Sequence, residues 1–263
     1  MLKQQIITAD GIKEYDKVKV AIEMLRMYEP PEGYYLAFSG GKDSVVIKDL
    51  AIKAGVRFDA HYNITTVDPP ELVQFIKREH PDVERRRPEK TMWKLIPKKL
   101  LPPTRWVRYC CEYLKERGGA GRIVITGIRA AESMKRAQRA KKGKVHQCFK
   151  DKHKTYLNII LDWTDDDVWE YIDDNGLPYC ILYDEGFDRL GCIGCPMTNT
   201  KKRLIEFERW PRYYRLYEKA FDRMIEERIR RDKPTQWKSG AEVMHWWLYQ
   251  RPKDNPNQGT IFE

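Results

Sequence analysis

The 263-residue chain has no apolar run approaching the roughly 20 residues of a membrane-spanning helix. Its opening stretch carries Lys3, Asp10, Lys13 and Glu14 where a secretion signal would hold an unbroken apolar segment. No internal repeat and no low-complexity tract is present, which argues against solenoid and linker architectures. Six cysteines without a secretion signal suit reduced thiols, metal ligands or catalytic groups better than a disulfide framework. The expectation is a cytoplasmic protein with no membrane partner.

Hydrophobic residues make up 41% and aromatics 12%, enough to bury one main core and too much for a disordered chain. Forty-nine Lys and Arg exceed 39 Asp and Glu, and the resulting +10 attracts anions such as nucleotides, nucleic acid or an anionic surface.

Periodicity supplies the outline. Ile12, Tyr15, Val18, Ile22 and Leu25 fall at helical spacing, so a first helix is expected over 12–28, closed by Pro30-Pro31. Residues 34–38 read as a strand, Ser39-Gly40-Gly41 as a turn and 44–54 as a helix. Further strands are expected over 58–65, 122–128 and 156–161, with helices over 70–79 and 165–173. This alternation predicts an α/β fold, a mostly parallel sheet with helices on both faces. Beyond Gly191 the chain turns to charged, aromatic helical stretches over 201–231 and 240–250, a helical C-terminal extension, and ends in a loop-like tail. The expected division is an N-terminal helix over 1–29, a nucleotide-binding domain over 30–200 and the extension over 201–263.

Ser39-Gly40-Gly41-Lys42-Asp43-Ser44 closes an expected strand and opens an expected helix, where unpaired backbone N–H groups and the positive helix end converge. Two glycines permit positive φ and close approach to phosphate oxygens, Lys42 adds a cation, and the serine hydroxyls can donate. The plain alternative is a tight turn with a capped helix. The spacing does not fit the Walker pattern.

This hexapeptide resembles the PP-loop of the N-type ATP pyrophosphatases, which cleave ATP between its α and β phosphates. By that resemblance Ser39, Gly40, Gly41, Lys42, Asp43 and Ser44 cradle the β and γ phosphates, with Mg2+ beside them. Segments 65–70, 126–133 and 161–169 are similar to the phosphoadenosine phosphosulfate (PAPS) reductase branch of that superfamily, so the resemblance covers about residues 30–200 and implies an adenine nucleotide alpha hydrolase-like fold. It adds Thr65, Asp68, Gly127 and Arg129 to the nucleotide-binding set, Arg129 as a phosphate ligand past a strand end. Lys42, Asp43 and Arg129 are the expected catalytic residues. Trp163, Val168 and Trp169 read as core.

Cys110-Cys111 and Cys192-Ile193-Gly194-Cys195 form two tight pairs 81 positions apart. Adjacent cysteines, with α carbons about 3.8 Å apart, suit two corners of a cubane better than two vertices of one zinc tetrahedron. Buried thiols or zinc-knuckle halves are the alternatives. Iron–sulfur sulfonucleotide reductases, and the ATP-pyrophosphatase-like subunit of DNA phosphorothioation systems, carry clusters on comparable cysteines, so a [4Fe-4S] cluster is expected ahead of zinc. Cys180 reads as packing and Cys148 as a reactive-thiol candidate.

The resemblance breaks in two places. The reductases attack sulfate with a cysteine in a Glu-Cys-Gly-His-like segment near the carboxyl end, and nothing here matches it. Their glycine loops also tend to be altered, whereas this one is complete. Both departures favour ATP cleavage.

Between Arg129 and Lys154, ten Lys or Arg (129, 135, 136, 139, 141, 142, 144, 150, 152 and 154) face only Glu132 and Asp151. Such a segment can track a phosphate backbone, with Trp237, Trp246, Trp247 and Tyr249 as stacking surfaces, or it can be a solvated loop beside a core helix. The leading expectation is an ATP pyrophosphatase that adenylates an acceptor for iron–sulfur-dependent sulfur transfer to a nucleic acid, tRNA or DNA, with a sulfur-donor protein as partner and a homo-oligomer as a further option. A sulfonucleotide reductase and a non-catalytic nucleotide-binding subunit are the alternatives.

Overall fold

The computed structural model describes residues 1–8, 11–141, 143–148 and 154–249. In chain order the elements are β1 (Lys3–Thr8), β2 (Gly11–Asp16), α1 (Lys17–Met27), β3 (Tyr34–Ala37), α2 (Lys42–Ala54), β4 (Phe58–Asn63), α3 (Pro70–Glu79), β5 (Glu84–Arg86), α4 (Met92–Lys99), α5 (Tyr109–Leu114), β6 (Ile123–Ile125), α6 (Met134–Ala140), β7 (Val145–Cys148), β8 (Lys154–Leu157), α7 (Asp165–Asp174), α8 (Thr200–Arg209), α9 (Pro211–Arg230) and α10 (Gly240–Tyr249). They form two compact units that interleave in sequence. The first comprises Met1–Asn63, Pro70–Arg86 and Arg117–Leu190, and the second Ile64–Pro69, Arg87–Glu116 and Gly191–Glu263.

The first unit is the expected α/β sheet, in the order β5-β4-β3-β6-β8-β7. All pairings are parallel except that of the edge strand β7 with β8. Tyr34, Leu36, Ile125 and Leu157 are fully buried in its middle strands, and α2 buries Val45, Val46, Ile47, Leu50 and Ala51. Gly55, left-handed at φ 70°, ends α2 and turns the chain toward β4.

Three expectations are corrected here. The helix expected from Ile12 starts at Lys17, because Gly11–Asp16 pairs with Lys3–Thr8 as an antiparallel hairpin. Asp16 caps α1 by accepting from the Val18 and Lys19 amides. The extended run expected to Leu161 ends at Leu157, and the chain then turns, with the Leu161 amide donating to the Asn158 carbonyl. The single stretch 201–231 is two helices, because Pro211 supplies no N–H and opens α9 at its first turn.

The second unit packs α4, α5, α8, α9 and α10 around Tyr217, Phe221, Met224, Val243 and Met244. Trp246 and Trp247, expected as stacking surfaces, belong to this core: both are buried. Trp247 packs on Tyr217 and Phe221, and its Nε1 donates to the Pro103 carbonyl at 2.6 Å. An apolar helix placed against α9 buries its largest rings because that removes the most area from water. Trp237 leans on Trp246, whereas Tyr249 stays exposed. Cys180 is buried in the first unit, as its packing role requires. The Cys148 side chain lies outside the described residues, as do the side chains of Lys135, Arg139, Lys142, Lys150 and Lys152.

Candidate active site

In the first unit the strand order reverses between β3, which leads to β4 on one side, and β6 on the other. The turns after β3 and β6 leave the carboxyl edge at a topological switch point, where open α/β sheets hold ligands. The turn after β3 is the glycine hexapeptide. Gly40 sits at φ 75°, and an added Cβ there would stand 2.7 Å from both Leu72 Cδ1 and Ile76 Cδ1, so only glycine lets the loop lie this close to α3. A Cβ on Gly127, in the turn after β6, would meet Asp43 Cβ at 2.9 Å. The two turns therefore pack directly on each other at the start of α2. Ser44 Oγ donates to the Gly41 carbonyl at 2.7 Å, and the Gly41 amide donates to Ser39 Oγ at 3.4 Å.

Four charges close this site. Arg129 is buried, and its Nε donates to Asp43 Oδ1 at 2.6 Å while its Nη2 donates to Asp165 Oδ1 at 2.5 Å. Lys42 Nζ lies 3.3 Å from the same Asp165 oxygen. Burial alone would raise the Asp165 carboxyl, but the Arg129 hydrogen bond and the Lys42 charge outweigh it and hold the group below its ordinary value. Lys42 is buried rather than extended from the loop: its ammonium donates to the Asp188 carbonyl at 3.1 Å and lies 5.7 and 5.3 Å from the Trp169 and Tyr183 ring centroids. The Lys42 amide, at the first position of α2, donates to the Tyr183 hydroxyl at 2.9 Å. That phenol occupies a donor that an anion would take. Neither Asp165 nor Tyr183 is among the expected site residues: Asp165 lies within the segment 161–169 that carries the resemblance, and nothing in the sequence marks Tyr183.

The basic stretch 129–154 differs from its linear appearance. Arg129 is consumed by two carboxylates, Arg136 pairs with Glu132, Lys144 pairs with Asp162 and Lys154 is buried. A window count misses Asp43 before the stretch and Asp162 and Asp165 after it, which pair with Arg129 and Lys144.

The four paired cysteines all lie in the second unit, as free thiols. Cys110 and Cys111 are in the first turn of α5, and Cys192 and Cys195 bracket a turn in which the Cys195 amide donates to the Cys192 carbonyl. Gly194 takes φ 71°, with space for a Cβ closed off by Phe207 Cζ at 2.6 Å. The Gly194 amide donates to Glu206 at 2.7 Å, and Tyr217 donates to the Ile193 carbonyl at 3.0 Å. Burial pushes the Glu206 carboxyl up to about 6. Thr65 and Asp68, expected at the nucleotide, belong to this unit: the Cys192 thiol reaches Thr65 Oγ1 at 3.5 Å, and Asp68 accepts from the Thr65 amide.

Cys110 lies within electrostatic range of the other three cysteines. A hydrogen bond from Cys110, then the guanidinium of Arg108 at 3.2 Å, favours the thiolate at Cys111, while Cys110 is raised. Burial pushes Cys192 up to about 11. The Lys115 side chain is exposed, and its ammonium is stabilised chiefly by Cys192. Nothing in the sequence marks Arg108, whereas Lys115 lies one helical turn past Cys111, the spacing that signals a shared face. Among the described residues no three His, Cys, Asp or Glu side chains form a close-set single-ion shell.

The fold is an α/β sheet of the adenine nucleotide alpha hydrolase-like kind. A crystal structure of the PAPS reductase of Candida auris in its phosphate complex matches with a TM-score of 0.50 and 18% identity, over 65% of this chain and 87% of that one. Residues 33–198 match the phosphoadenosine phosphosulfate reductase domain family, and the chain belongs to that family. It is 31% identical over 206 residues to an uncharacterized protein of Methanocaldococcus jannaschii, covering 69% of this chain and 41% of that protein. It is 29% identical over 205 residues to an adenosine 5′-phosphosulfate reductase of Staphylococcus epidermidis, covering 68% of this chain and 78% of the reductase. The chain spans about half the length of the two Methanocaldococcus relatives it matches. No helix among the described residues is long and apolar enough to cross a membrane.

Proposed function

We propose that the protein cleaves ATP between the α and β phosphates, adenylates an acceptor oxygen, and thereby prepares that position on a nucleic acid for substitution by sulfur. The observation that carries this reading is the arrangement of two cations and two carboxylates at the intact glycine loop. Lys42 and Arg129 cancel Asp43 and Asp165, so a bare anion gains little there. A Mg2+-bound triphosphate fits better, because Mg2+ is usually held by one or two carboxylates together with substrate phosphates. Asp43 and Asp165 are the residues that would hold the ion, leaving Arg129 and Lys42 to phosphate oxygens.

The acceptor oxygen attacks the α phosphorus, the bond to the bridging oxygen breaks, and pyrophosphate leaves. Loop amides, Arg129 and Lys42 stabilise its developing charge. The Tyr183 hydroxyl yields the Lys42 amide as the phosphates enter. Cys110, Cys111, Cys192 and Cys195 would hold a [4Fe-4S] cluster: Cys110 within electrostatic range of the other three thiols, with Arg108 and Lys115 offsetting thiolate charge, supports that donor set. When bound, the cluster supplies a site for sulfide.

The similarity to adenosine 5′-phosphosulfate reductases favours a second reading, reduction of a sulfonucleotide. One experiment separates the two. Protein purified without oxygen is analysed for iron, sulfide and zinc, then given ATP and sulfide with RNA or DNA, the sulfide displacing AMP from the adenylated position, or adenosine 5′-phosphosulfate with a thiol. The first reading expects AMP and pyrophosphate dependent on nucleic acid, with about four irons per chain. Sulfite and AMP from the sulfonucleotide alone would replace it with the second, and zinc without iron would remove the cluster.

A further inference from the structure

The chain's positive charge is unevenly divided. The segments of the first unit hold 26 Lys and Arg against 25 Asp and Glu, while those of the second hold 23 against 14. Nearly the whole surplus therefore belongs to the unit with the four thiols. In the first unit Lys17, Lys48, Arg57, Arg122 and Arg129 each meet a carboxylate. In the second, Arg230 and Arg231 pair with Glu227 and Arg203 faces Glu206, whereas Arg105 and Arg228 donate to backbone carbonyls, hydrogen bonds that do not cancel their charge.

One exposed aromatic stands beside the thiols in this field. A tight turn at Thr104, closed by the Thr104 amide to the Val107 carbonyl and the Val107 amide to Thr104 Oγ1, puts Arg105 and Trp106 at its tip. Trp106 is 75% exposed, unlike the buried Trp246 and Trp247. Its neighbours fasten the turn to both cysteine pairs: Arg105 donates to the Pro196 and Met197 carbonyls just past Cys195, and Arg108 to the Cys111 thiol. The indole is thus held at the rim of the thiol site with its surface open to solvent, where its flat face can take a stacked base.

We propose that the Thr104–Arg108 turn is a base-stacking platform, on which a nucleobase of single-stranded nucleic acid lies against Trp106 while the backbone follows the basic surface of the second unit. A stacked base with cations on either side is the usual grip on single strands, and the surplus charge supplies the phosphate contacts. This rests on the proposed function in one respect, the nucleic-acid acceptor, and gives it a location beside the cysteines.

The test uses full-length protein with its metal content measured, and a fluorescein-labelled single-stranded RNA of about 15 nucleotides, with DNA of the same sequence and the corresponding duplex as further arms. Wild type is expected to bind single strands with an affinity that falls steeply with salt. W106A should weaken binding about five- to 150-fold, the weight of one stacked base, with W106F restoring most of it. R105A should lower the salt slope by about one. Unchanged metal content and far-ultraviolet dichroism in each variant show that the fold is intact. Equal binding by wild type and W106A, or a preference for duplex, overturns the platform. Because binding is read without ATP, the platform stands if W106A loses affinity even when no AMP is ever formed.

Discussion

Replacing Arg129 by glutamine tests the centre of the site, because one guanidinium holds two carboxylates there. Arg129 has 3% of its side chain exposed, against 24% for Asp43 and 57% for Asp165. Deleting one partner of a fully buried pair costs about 3–5 kcal/mol, but here water can reach the abandoned carboxylates, so R129Q should lose only ~2 kcal/mol. Urea unfolding at pH 7.5 measures it. The sign with pH follows from Asp165, whose folded carboxyl lies below its ordinary value because of Arg129 and Lys42. That stabilisation is complete above the ordinary carboxylate range and is lost as pH falls through the folded value. The gap between wild type and R129Q should therefore narrow on acidification. D165N added to R129Q should recover stability but not ATP cleavage. Equal stability of wild type and R129Q at pH 7.5, a gap that widens in acid, or undiminished AMP release by R129Q would refute the reasoning.

Other variants probe separate features. Buried His80, next to the Lys48 ammonium, is lowered from 6.5 to about 4 by burial and then by that charge. It folds neutral, so its contribution is present above pH 6.5 and is lost as pH drops toward 4, by at most about 3 kcal/mol; H80Q should show less acid destabilisation in matched urea titrations, and an identical pH profile would rule this out. G40A, with a left-handed φ and two methyl groups 2.7 Å from the new Cβ, should cost about 2–4 kcal/mol in thermal or urea unfolding. G194A forces Phe207 aside and should lower iron content while the first unit keeps its ATP affinity; full iron occupancy in G194A would count against the turn's role. Y183F frees the Lys42 amide and should tighten nucleotide binding about two- to tenfold by calorimetry, the weight of one neutral hydrogen bond; weaker binding would make the hydroxyl a substrate donor instead.

The sequence alone determined the parallel α/β sheet, the glycine turn opening α2 and the exact bounds of α3, because strand–helix alternation and glycine chemistry are local properties of the chain. It also identified four cysteines as two pairs. Only the tertiary structure decided what surrounds them. Carboxylates distant in sequence neutralise Lys42, Arg129 and Lys144, Trp246 and Trp247 go inside while Trp106 stays outside, and Thr65 and Asp68 join the thiols' unit. Pairing and burial depend on which segments meet in space, and Coulomb and packing energies follow that distance, not separation along the chain.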